Sequence, residues 1–472
     1  MTLSKHPNWG DSAKLIIFTK NLRLSSDSGH HNMLLLIYYP FTFLPFKNLA
    51  LKINLANMFF SLLTPPLLFL FLLKRTISTK TSLFLAISFG ISHLFWHLAV
   101  ITESYNMTLL LVLLILLALE TYSKKPLLLT MSLIILLAGL AIQINLICLP
   151  LIIIIFIFHL RKILVLKSKI FILPLIFLIA LLPTLLIIIK DIKAGRSFHQ
   201  VVFQNFLQQK YKNFMDLSAL FDITRILKMI ALLFYQFPFL WLILFNYFIL
   251  SLLSHIPKNG RVSVAKLNID YSFLCFVLMF ITTIIYTMPK STYFLVFCNL
   301  FFVLIISKKM ELVINNISPR LFIYLLIFTF FTNIFIYSFM PDFMGNFQIS
   351  RKVPFRNSNY YFLTPWKHKE HSSFYFADFC QRNLGNGDIL VSDFTATVVI
   401  EYYRFADNNT TKSFLQFEIW DIERKDTLQK IEDNIDKKTI YFIGGLHEYD
   451  SLFKIFTVEK FGELYKIHKK VQ

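Results

Sequence analysis

Long runs of apolar residues, separated by short polar segments, dominate the chain from about residue 50 to about residue 340. A helix needs about 20 apolar residues to cross the hydrocarbon core of a bilayer. Seven runs approach or reach that length: 53–73, 82–102, 127–146, 171–189, 230–253, 271–288 and 321–340. Three shorter runs would span only if they continue into flanking polar residues: 107–119, 149–159 and 292–306. The pattern predicts a mostly α-helical, polytopic transmembrane bundle with about ten spans.

The composition supports a membrane protein. Of the 472 residues, 56% are hydrophobic, 17% are aromatic and only 16% are charged. A soluble globular protein typically has about 45–50% apolar and about 25% charged residues. The 4 cysteines are scattered, so the spacing does not indicate a disulfide framework.

The net charge of +20 would suggest a nucleic-acid partner in a soluble protein. Here Lys and Arg sit at the ends of the apolar runs, so they indicate membrane topology and no nucleic-acid partner is expected. With the N-terminus outside, the inward loops carry Lys74, Arg75, Lys80, Lys124, Lys125, Arg161, Lys162, Lys167, Lys169, Lys258, Arg261, Lys266, Lys308, Lys309 and Arg320. The outward turns 102–106 and 143–148 carry no Lys or Arg, which fits the positive-inside rule.

Two domains are predicted. Residues 1–341 form the transmembrane domain with an outward first loop at 1–50, and residues 342–472 form an extracytoplasmic domain of a protein in the cell (inner) membrane. In this tail, segments 374–384, 395–405 and 422–435 show helical patterns and segments 388–392 and 438–445 show strand patterns. Their alternation predicts a small α/β domain. An outward N-terminus with neither signal nor preceding helix is hard to translocate, so we expect a further helix before residue 1.

Glu103 lies between two apolar runs, and the charge topology puts it at the outward mouth of a helix pair. An ionisable group at membrane depth is expensive and usually marks a functional site. The alternative is a hydrated turn residue. Trp96, Tyr105 and Asn106 lie close by in sequence, but Trp and Tyr favour the membrane interface in any case.

Asp11, in WGDSAKL, is a second acid on the same outward side. One of the two acids could act as general base on an acceptor hydroxyl, and the other could hold a metal or position a phosphate-bearing donor. The alternative for Asp11 is a helix cap. His93 and His97 are four residues apart, yet the sequence lacks an HExxH pattern, so hydrogen-bonding interior histidines are favoured over a zinc site.

Four segments, in order, resemble a family of polytopic membrane proteins of unknown function that is similar to the protein O-mannosyltransferases. That family belongs with the GT-C glycosyltransferases. The segments are WGDSAKL at 9–15, LPFKNLALKINLANMFFSLL at 44–63, FWHLAVITESYN at 95–106 and AGLAIQINLICLP at 138–150. Residues 387–405 resemble the start of the family's outward C-terminal domain. Lys14 stands where the family has Glu, so the chain is a divergent member.

The resemblance implies a GT-C fold and transfer of a sugar from a polyprenyl-phosphate donor to a hydroxyl of a protein or glycan acceptor. Asp11 matches the catalytic base and Glu103 the second acid. The implied substrate-binding residues are Lys14, Arg23, His30, His31, Trp96, His97, Tyr105 and Asn106. Lys14 and Arg23 would neutralise the phosphate, and membrane lipid would surround the spans. No residue is assigned as a metal ligand, and a requirement for a divalent cation stays open.

Two other functions remain as alternatives. A multi-span transporter or a lipid or glycan flippase would place its binding groups near the midplane on broken helices, and Pro65, Pro66 and Pro183 could break helices here. A scaffold would use its outward domain to bind a partner. Asp11 and Glu103 on opposite faces of the membrane, or far apart, would favour either alternative.

Overall fold

The computed structural model describes residues 2–26, 31–206, 215–245, 270–286, 291–344, 354–392, 394–407, 415–418, 424–443 and 456–469. Helices make up most of the described residues up to Met344. Their bounds are α1 Asp11–Lys20, α2 Asn32–Tyr38, α3 Leu49–Leu62, α4 Thr64–Lys74, α5 Thr79–Gly90, α6 His93–Ala99, α7 Tyr105–Lys124, α8 Leu128–Ile144, α9 Cys148–Ile163, α10 Ile172–Lys193, α11 Ile223–Gln236, α12 Pro238–Phe245, α13 Tyr271–Ile285, α14 Leu295–Ile314 and α15 Pro319–Met344.

Six helices of the described residues are long and apolar enough to cross a membrane. They cover Leu49–Lys74, Tyr105–Lys124, Cys148–Lys167, Lys169–Lys193, Thr292–Ile314 and Pro319–Met344. The three runs that looked too short in the sequence are among them, because their helices do continue into polar flanking residues. Two bent pairs, α5 with α6 and α11 with α12, raise the number to 8 if each pair is one span.

The predicted count of about ten spans differs from this number at two helices. Leu128–Ile144 has 17 residues and Tyr271–Ile285 has 15. Both lie where the sequence predicts a span, but the helices are shorter than the roughly 20 residues that a spanning helix needs.

The two bent pairs contact each other at their breaks. α5 and α6 meet at 60° and α11 and α12 at 94°. The Gln236 side-chain oxygen accepts the Leu94 N–H at 2.8 Å, and the Tyr337 hydroxyl donates to the Gln236 carbonyl at 3.0 Å, with the Ile91 carbonyl 3.3 Å away. Backbone groups that the bends remove from helical hydrogen bonds are therefore satisfied by neighbouring protein groups. The breaks are not at the prolines that the sequence suggested.

The bundle has two chemically different ends. At one end, the Lys74 amine donates to the Thr121 hydroxyl at 2.6 Å and the Lys162 amine donates to the Ser123 hydroxyl at 2.9 Å. Glu103 lies just before the opposite end of α7, whose 20 residues cover about 30 Å. The cationic helix ends and Glu103 therefore lie on opposite sides of the bundle, as the charge pattern predicts.

The C-terminal part contains helices and one mixed sheet. Its helices are α16 Ser358–Leu363, α17 Ser372–Asn383, α18 Phe394–Asp407 and α19 Arg424–Ile435, and its strands are β1 Ile389–Ser392, β2 Leu415–Glu418, β3 Ile440–Ile443, β4 Phe456–Phe461 and β5 Leu464–Lys469. The strand order is β2-β1-β3-β5-β4. β2, β1 and β3 are parallel, while β5 pairs antiparallel with both β3 and β4.

The three helices and two strands predicted for this tail are confirmed, and α16, β2, β4 and β5 are additions. The parallel strands need helical crossovers, which α18 and α19 supply. Gly462 has φ +58 in the turn between β4 and β5, and a Cβ there would lie 2.8 Å from Phe379. The backbone conformation therefore favours glycine here, and any larger residue would have to displace the Phe379 ring.

Candidate functional site

Glu103 is held in a turn between α6 and α7 and is only 3% exposed. Amide side chains of α3 fix the backbone on its N-terminal side. Asn57 Nδ2 donates to the carbonyls of Leu98 at 2.6 Å and Ile101 at 2.5 Å, and Asn54 Oδ1 accepts the Thr102 hydroxyl at 2.6 Å. The backbone that leads to Glu103 is thus held by polar residues of a neighbouring helix.

Tyr38 extends this network towards the carboxylate. Its hydroxyl donates to Asn57 Oδ1 at 2.7 Å, and it lies close enough to Glu103 for the two groups to interact electrostatically. Tyr38 is fully buried. On the C-terminal side of the turn, Asn145 Nδ2 donates to the Ser104 hydroxyl at 3.0 Å. Three further elements, α2, α3 and the end of α8, therefore surround the acid.

Asp11 is the first residue of α1 and is partly exposed. Gly10 is the N-cap, with φ 78 and ψ -133 and no side-chain capping bond. The capping role considered for Asp11 is therefore wrong, because Gly10 occupies that position. The dipole of α1 still stabilises the negative charge of Asp11, because it favours an acid in the first turn. The Trp9 ring nitrogen donates to the Ser372 hydroxyl at 2.9 Å and anchors the start of α1.

The segments that carry the two acids meet at Asn54. Its Nδ2 donates to the Ser4 carbonyl at 3.1 Å, and its Oδ1 accepts the hydroxyl of Thr102, the neighbour of Glu103. The Ser4 N–H also donates to the Val100 carbonyl at 3.3 Å. The residues leading to Asp11 thus pack directly on the turn that holds Glu103, at the same end of the bundle.

Lys14 and Arg23 flank one aromatic ring. The Lys14 Nζ atom lies 5.4 Å and the Arg23 Cζ atom 5.0 Å from the centroid of Phe18. Both also lie close enough to Glu401 of α18 to interact with it electrostatically. Partial burial raises the pKa of Glu401, and the nearby charges of Lys14, Arg404 and Arg23 oppose this shift. The C-terminal part therefore contributes an acid beside the two predicted phosphate-binding cations.

The other predicted substrate-binding residues differ in their surroundings. His31 Nδ1 is 2.7 Å from the Ile144 carbonyl, and the Trp96 ring nitrogen donates to the Thr2 hydroxyl at 3.4 Å. Tyr105 stacks edge-on against Tyr293. His30 lies outside the described residues. A role of these residues in binding substrate stays a prediction.

His97 and Asn106 are fully buried within protein. The His97 ring packs against the rings of Tyr293, Tyr361 and Phe362. Asn106 Nδ2 donates to the Ser61 hydroxyl at 3.0 Å and the Phe95 carbonyl at 3.1 Å. Asn106 thus joins the start of α7 to α3 and α6, whereas His97 lies in a cluster of aromatic rings.

Within the described ranges, no group of three or more His, Cys, Asp or Glu side chains is placed to hold a metal ion. His93 lies beside His97 with a ring separation of 6.0 Å and packs against Tyr235 and Tyr337. The histidine pair is therefore part of an aromatic cluster inside the bundle.

Sequence reasoning missed Tyr38 and Asn57. It also missed Tyr361 and Lys367, two buried residues that bond Asn8 and the Thr2 carbonyl in the segment before Asp11. The amides of α3 could have been noticed as polar residues in an apolar run, since such residues usually face the interior of a bundle. Lys367 had no comparable signal, because it lies in a polar segment where lysine is common.

The described residues form a polytopic helical bundle with one small mixed sheet, so the mostly α-helical membrane fold predicted from the sequence is confirmed. Two solved structures are similar to nearly the whole chain, and both are crystal structures of ArnT from Cupriavidus metallidurans. The one bound to undecaprenyl phosphate has a TM-score of 0.51 at 10% identity and covers 99% of this chain and 95% of that one. The apo structure has a TM-score of 0.50 at 10% identity and covers 99% and 94%.

No protein-family model matches the sequence, and no curated protein matches it. At 10% identity, the similarity to ArnT concerns the fold. The apolar helices and this fold make the chain a multi-pass membrane protein.

Proposed function

We propose that this protein is a membrane glycosyltransferase that moves a sugar from a polyprenyl-phosphate donor to a hydroxyl of a protein or glycan acceptor. The reaction takes place at the outer face of the cell membrane, where residues 342–472 form an extracytoplasmic domain. The observation that carries the proposal is the buried Glu103, held by a polar network next to the segment that presents Asp11. The ArnT structure with undecaprenyl phosphate supports it, because a protein of the same fold binds a polyprenyl phosphate.

In the proposed reaction, the acceptor hydroxyl oxygen attacks the anomeric carbon of the donor sugar. The bond between that carbon and the phosphate oxygen breaks, and the lipid phosphate leaves as an anion. Asp11, partly exposed at the start of α1, accepts the hydroxyl proton as general base. Glu103 orients the acceptor or the donor from its fixed position. Lys14 and Arg23 stabilise the negative charge that develops on the phosphate.

A transporter or flippase is the competing function, and the structure does contain two bent helix pairs. Transporters use the unwound backbone of such helices to bind substrate near the midplane. Here the side chains of Gln236 and Tyr337 already form hydrogen bonds with backbone groups at both bends. The segments that carry the two acids also contact each other at one end of the bundle. Both observations favour the transferase.

Transfer of label from polyprenyl-phosphate sugars in membranes tests the proposal. Asp11→Asn and Glu103→Gln keep side-chain size and remove the carboxylate. We expect Asp11→Asn to lower the initial rate by about a hundredfold or more, since a general base typically contributes that much. Glu103→Gln is expected to lower it by a similar factor. Asp378→Asn is the control, because Asp378 pairs with Arg382 at 2.9 Å on the surface of α17.

Equal rates in wild type and both site variants would contradict the proposed roles. Purified protein in vesicles separates the competing function. A flippase would expose lipid-linked sugar on the other leaflet without cleaving it from the lipid phosphate, whereas a transferase releases the lipid phosphate only when an acceptor is present.

A further inference from the structure

Residues 2–9, which we call the N-terminal segment, lead directly to Gly10 and Asp11. One side of this segment contacts the membrane bundle. Its Thr2 hydroxyl accepts the Trp96 ring N–H at 3.4 Å, and Ser4 makes the backbone bonds to Val100 and Asn54 described above. These contacts place the segment against the turn that holds Glu103.

The other side of the N-terminal segment contacts residues 361–376, which we call the junction segment. The Lys367 N–H donates to the Thr2 carbonyl at 2.8 Å, and the Ser373 hydroxyl donates to the Pro7 carbonyl at 2.9 Å. Trp9 bonds to Ser372 and packs on Phe376 with a ring separation of 5.2 Å. The N-terminal segment is thus enclosed between the bundle and the C-terminal part.

Tyr361 contacts Asn8, three residues before Asp11. Its hydroxyl donates to Asn8 Oδ1, and both side chains are buried. Burial raises the pKa of the Tyr361 hydroxyl well above its usual value, so the hydroxyl keeps its proton and remains a donor. The Asn8 N–H in turn donates to the Ser12 hydroxyl at 3.3 Å in the first turn of α1. The hydrogen bonds from Tyr361 to Asn8 and from Asn8 to Ser12 therefore hold residues that lie before and after Asp11 in the sequence.

Lys367 contacts both the backbone carbonyl and the ring of Tyr361. The residue is only 2% exposed, and its Nζ donates to the carbonyls of Tyr361, at 2.7 Å, and Thr364. The same Nζ lies 4.9 Å from the centroid of the Tyr361 ring. Lysine is almost never fully buried unless its amine is paired. Because this buried amine bonds two carbonyls of one short turn, it fixes the conformation of that turn.

We propose that Lys367 and Tyr361 are positioning residues for Asp11: the Lys367 amine holds the turn after α16, and the Tyr361 hydroxyl, through Asn8, holds the start of α1 against the Glu103 turn. This inference rests on the proposed transferase function. The C-terminal part thereby completes the reaction site without contacting substrate at these residues.

Tyr361→Phe is the sharpest test, because it removes one hydroxyl and keeps the ring that packs on His97. Lys367→Met removes the amine and keeps the length of the side chain. Lys369→Met is the control, since Lys369 is exposed two residues further on. We expect kcat for sugar transfer to fall by about ten- to a hundredfold in both site variants, since small misplacement of a catalytic group has effects of this size. The donor KM is expected to change less than about twofold, as for an interaction felt only in the transition state.

Tryptic cleavage after Lys5 measures the position of the N-terminal segment independently of activity. Lys5 is exposed, but its neighbours are bonded on both sides. We expect faster cleavage after Lys5 in Tyr361→Phe and Lys367→Met than in wild type or Lys369→Met. If Lys367→Met does not fold, Tyr361→Phe decides the question alone.

Unchanged cleavage in Tyr361→Phe would overturn the proposal, and so would faster cleavage with unchanged kcat. A wild-type protein that transfers no sugar would remove the proposed function by itself. Faster cleavage in the variants would then still show that the junction segment holds the N-terminal segment.

Discussion

At the residue scale, the most unusual feature is the buried amine of Lys367. Burial lowers its pKa to about 7, an effect that Arg356 reinforces and Glu370 opposes. Its ordinary pKa, which applies in the unfolded chain, is 10.5. Between these two values the unfolded chain carries the proton and the folded protein does not. Unfolding therefore takes up a proton, and raising the pH through this window stabilises the folded protein.

This linkage predicts a difference between wild type and Lys367→Met. From pH 7 to pH 9 the free energy of unfolding of wild type should rise relative to the variant by about 2 kcal/mol, at up to roughly 1.4 kcal/mol per pH unit. Thermal unfolding in detergent at several pH values measures the effect as a widening gap in Tm. Parallel curves for the two proteins would show that the amine is charged in the folded protein throughout.

The side-chain amides of two residues, Asn54 and Asn57, fix the backbone next to Glu103. Asn57 donates to the carbonyls of Leu98, Ala99 and Ile101 at and after the end of α6, and Asn54 joins Ser4 to Thr102. Their sequence positions within an apolar run indicate interior polar residues, but the sequence does not tell which backbone groups they bond. That depends on α3 packing against the α6–α7 turn, a contact between residues about 40 positions apart.

At the scale of the helices, the two bends are stabilised by one another. A bent helix loses backbone hydrogen bonds, and within a bilayer each unsatisfied group is costly. Tyr337 in α15 provides a hydroxyl beside the Gln236 and Ile91 carbonyls, one at each bend. The bends are therefore a joint property of α5, α6, α11, α12 and α15.

Tyr337→Phe should consequently destabilise the protein by about 1–3 kcal/mol, because a buried carbonyl loses its donor. Tyr324→Phe is the matched control, since Tyr324 lies in the same helix and is 66% exposed. The measurement is the midpoint of thermal unfolding in detergent. An equal midpoint for both variants would contradict a role of the Tyr337 hydroxyl in closing the bends.

At the scale of the whole molecule, Tyr402 of α18 accepts the Ala50 N–H at 3.2 Å at the start of α3, whereas Lys74 lies at the far end of the following helix. The C-terminal part therefore lies at the Glu103 end of the bundle. Combined with the positive-inside rule, this arrangement predicts that residues 342–472 face the outside of the cell.

Cysteine labelling tests this orientation. Its background should be low, because the four native cysteines are buried. Cysteine in place of Glu463, an exposed residue between β4 and β5, should react with a membrane-impermeant maleimide in intact cells. Cysteine in place of Lys125, exposed after α7, should react only after permeabilisation. The reverse pattern would place the proposed reaction on the cytoplasmic side.

The sequence by itself determined the class of the fold, because apolar run length and charge at the run ends follow directly from bilayer thickness and topology. It also indicated Glu103 as a candidate site residue, since an acid between two apolar runs stands out in the sequence. Only the tertiary structure decided what surrounds the two acids. The side chains of Asn54 and Tyr361 and the backbone N–H of Lys367 form contacts between residues tens to hundreds of positions apart, and such contacts leave no local pattern of hydrophobicity or charge.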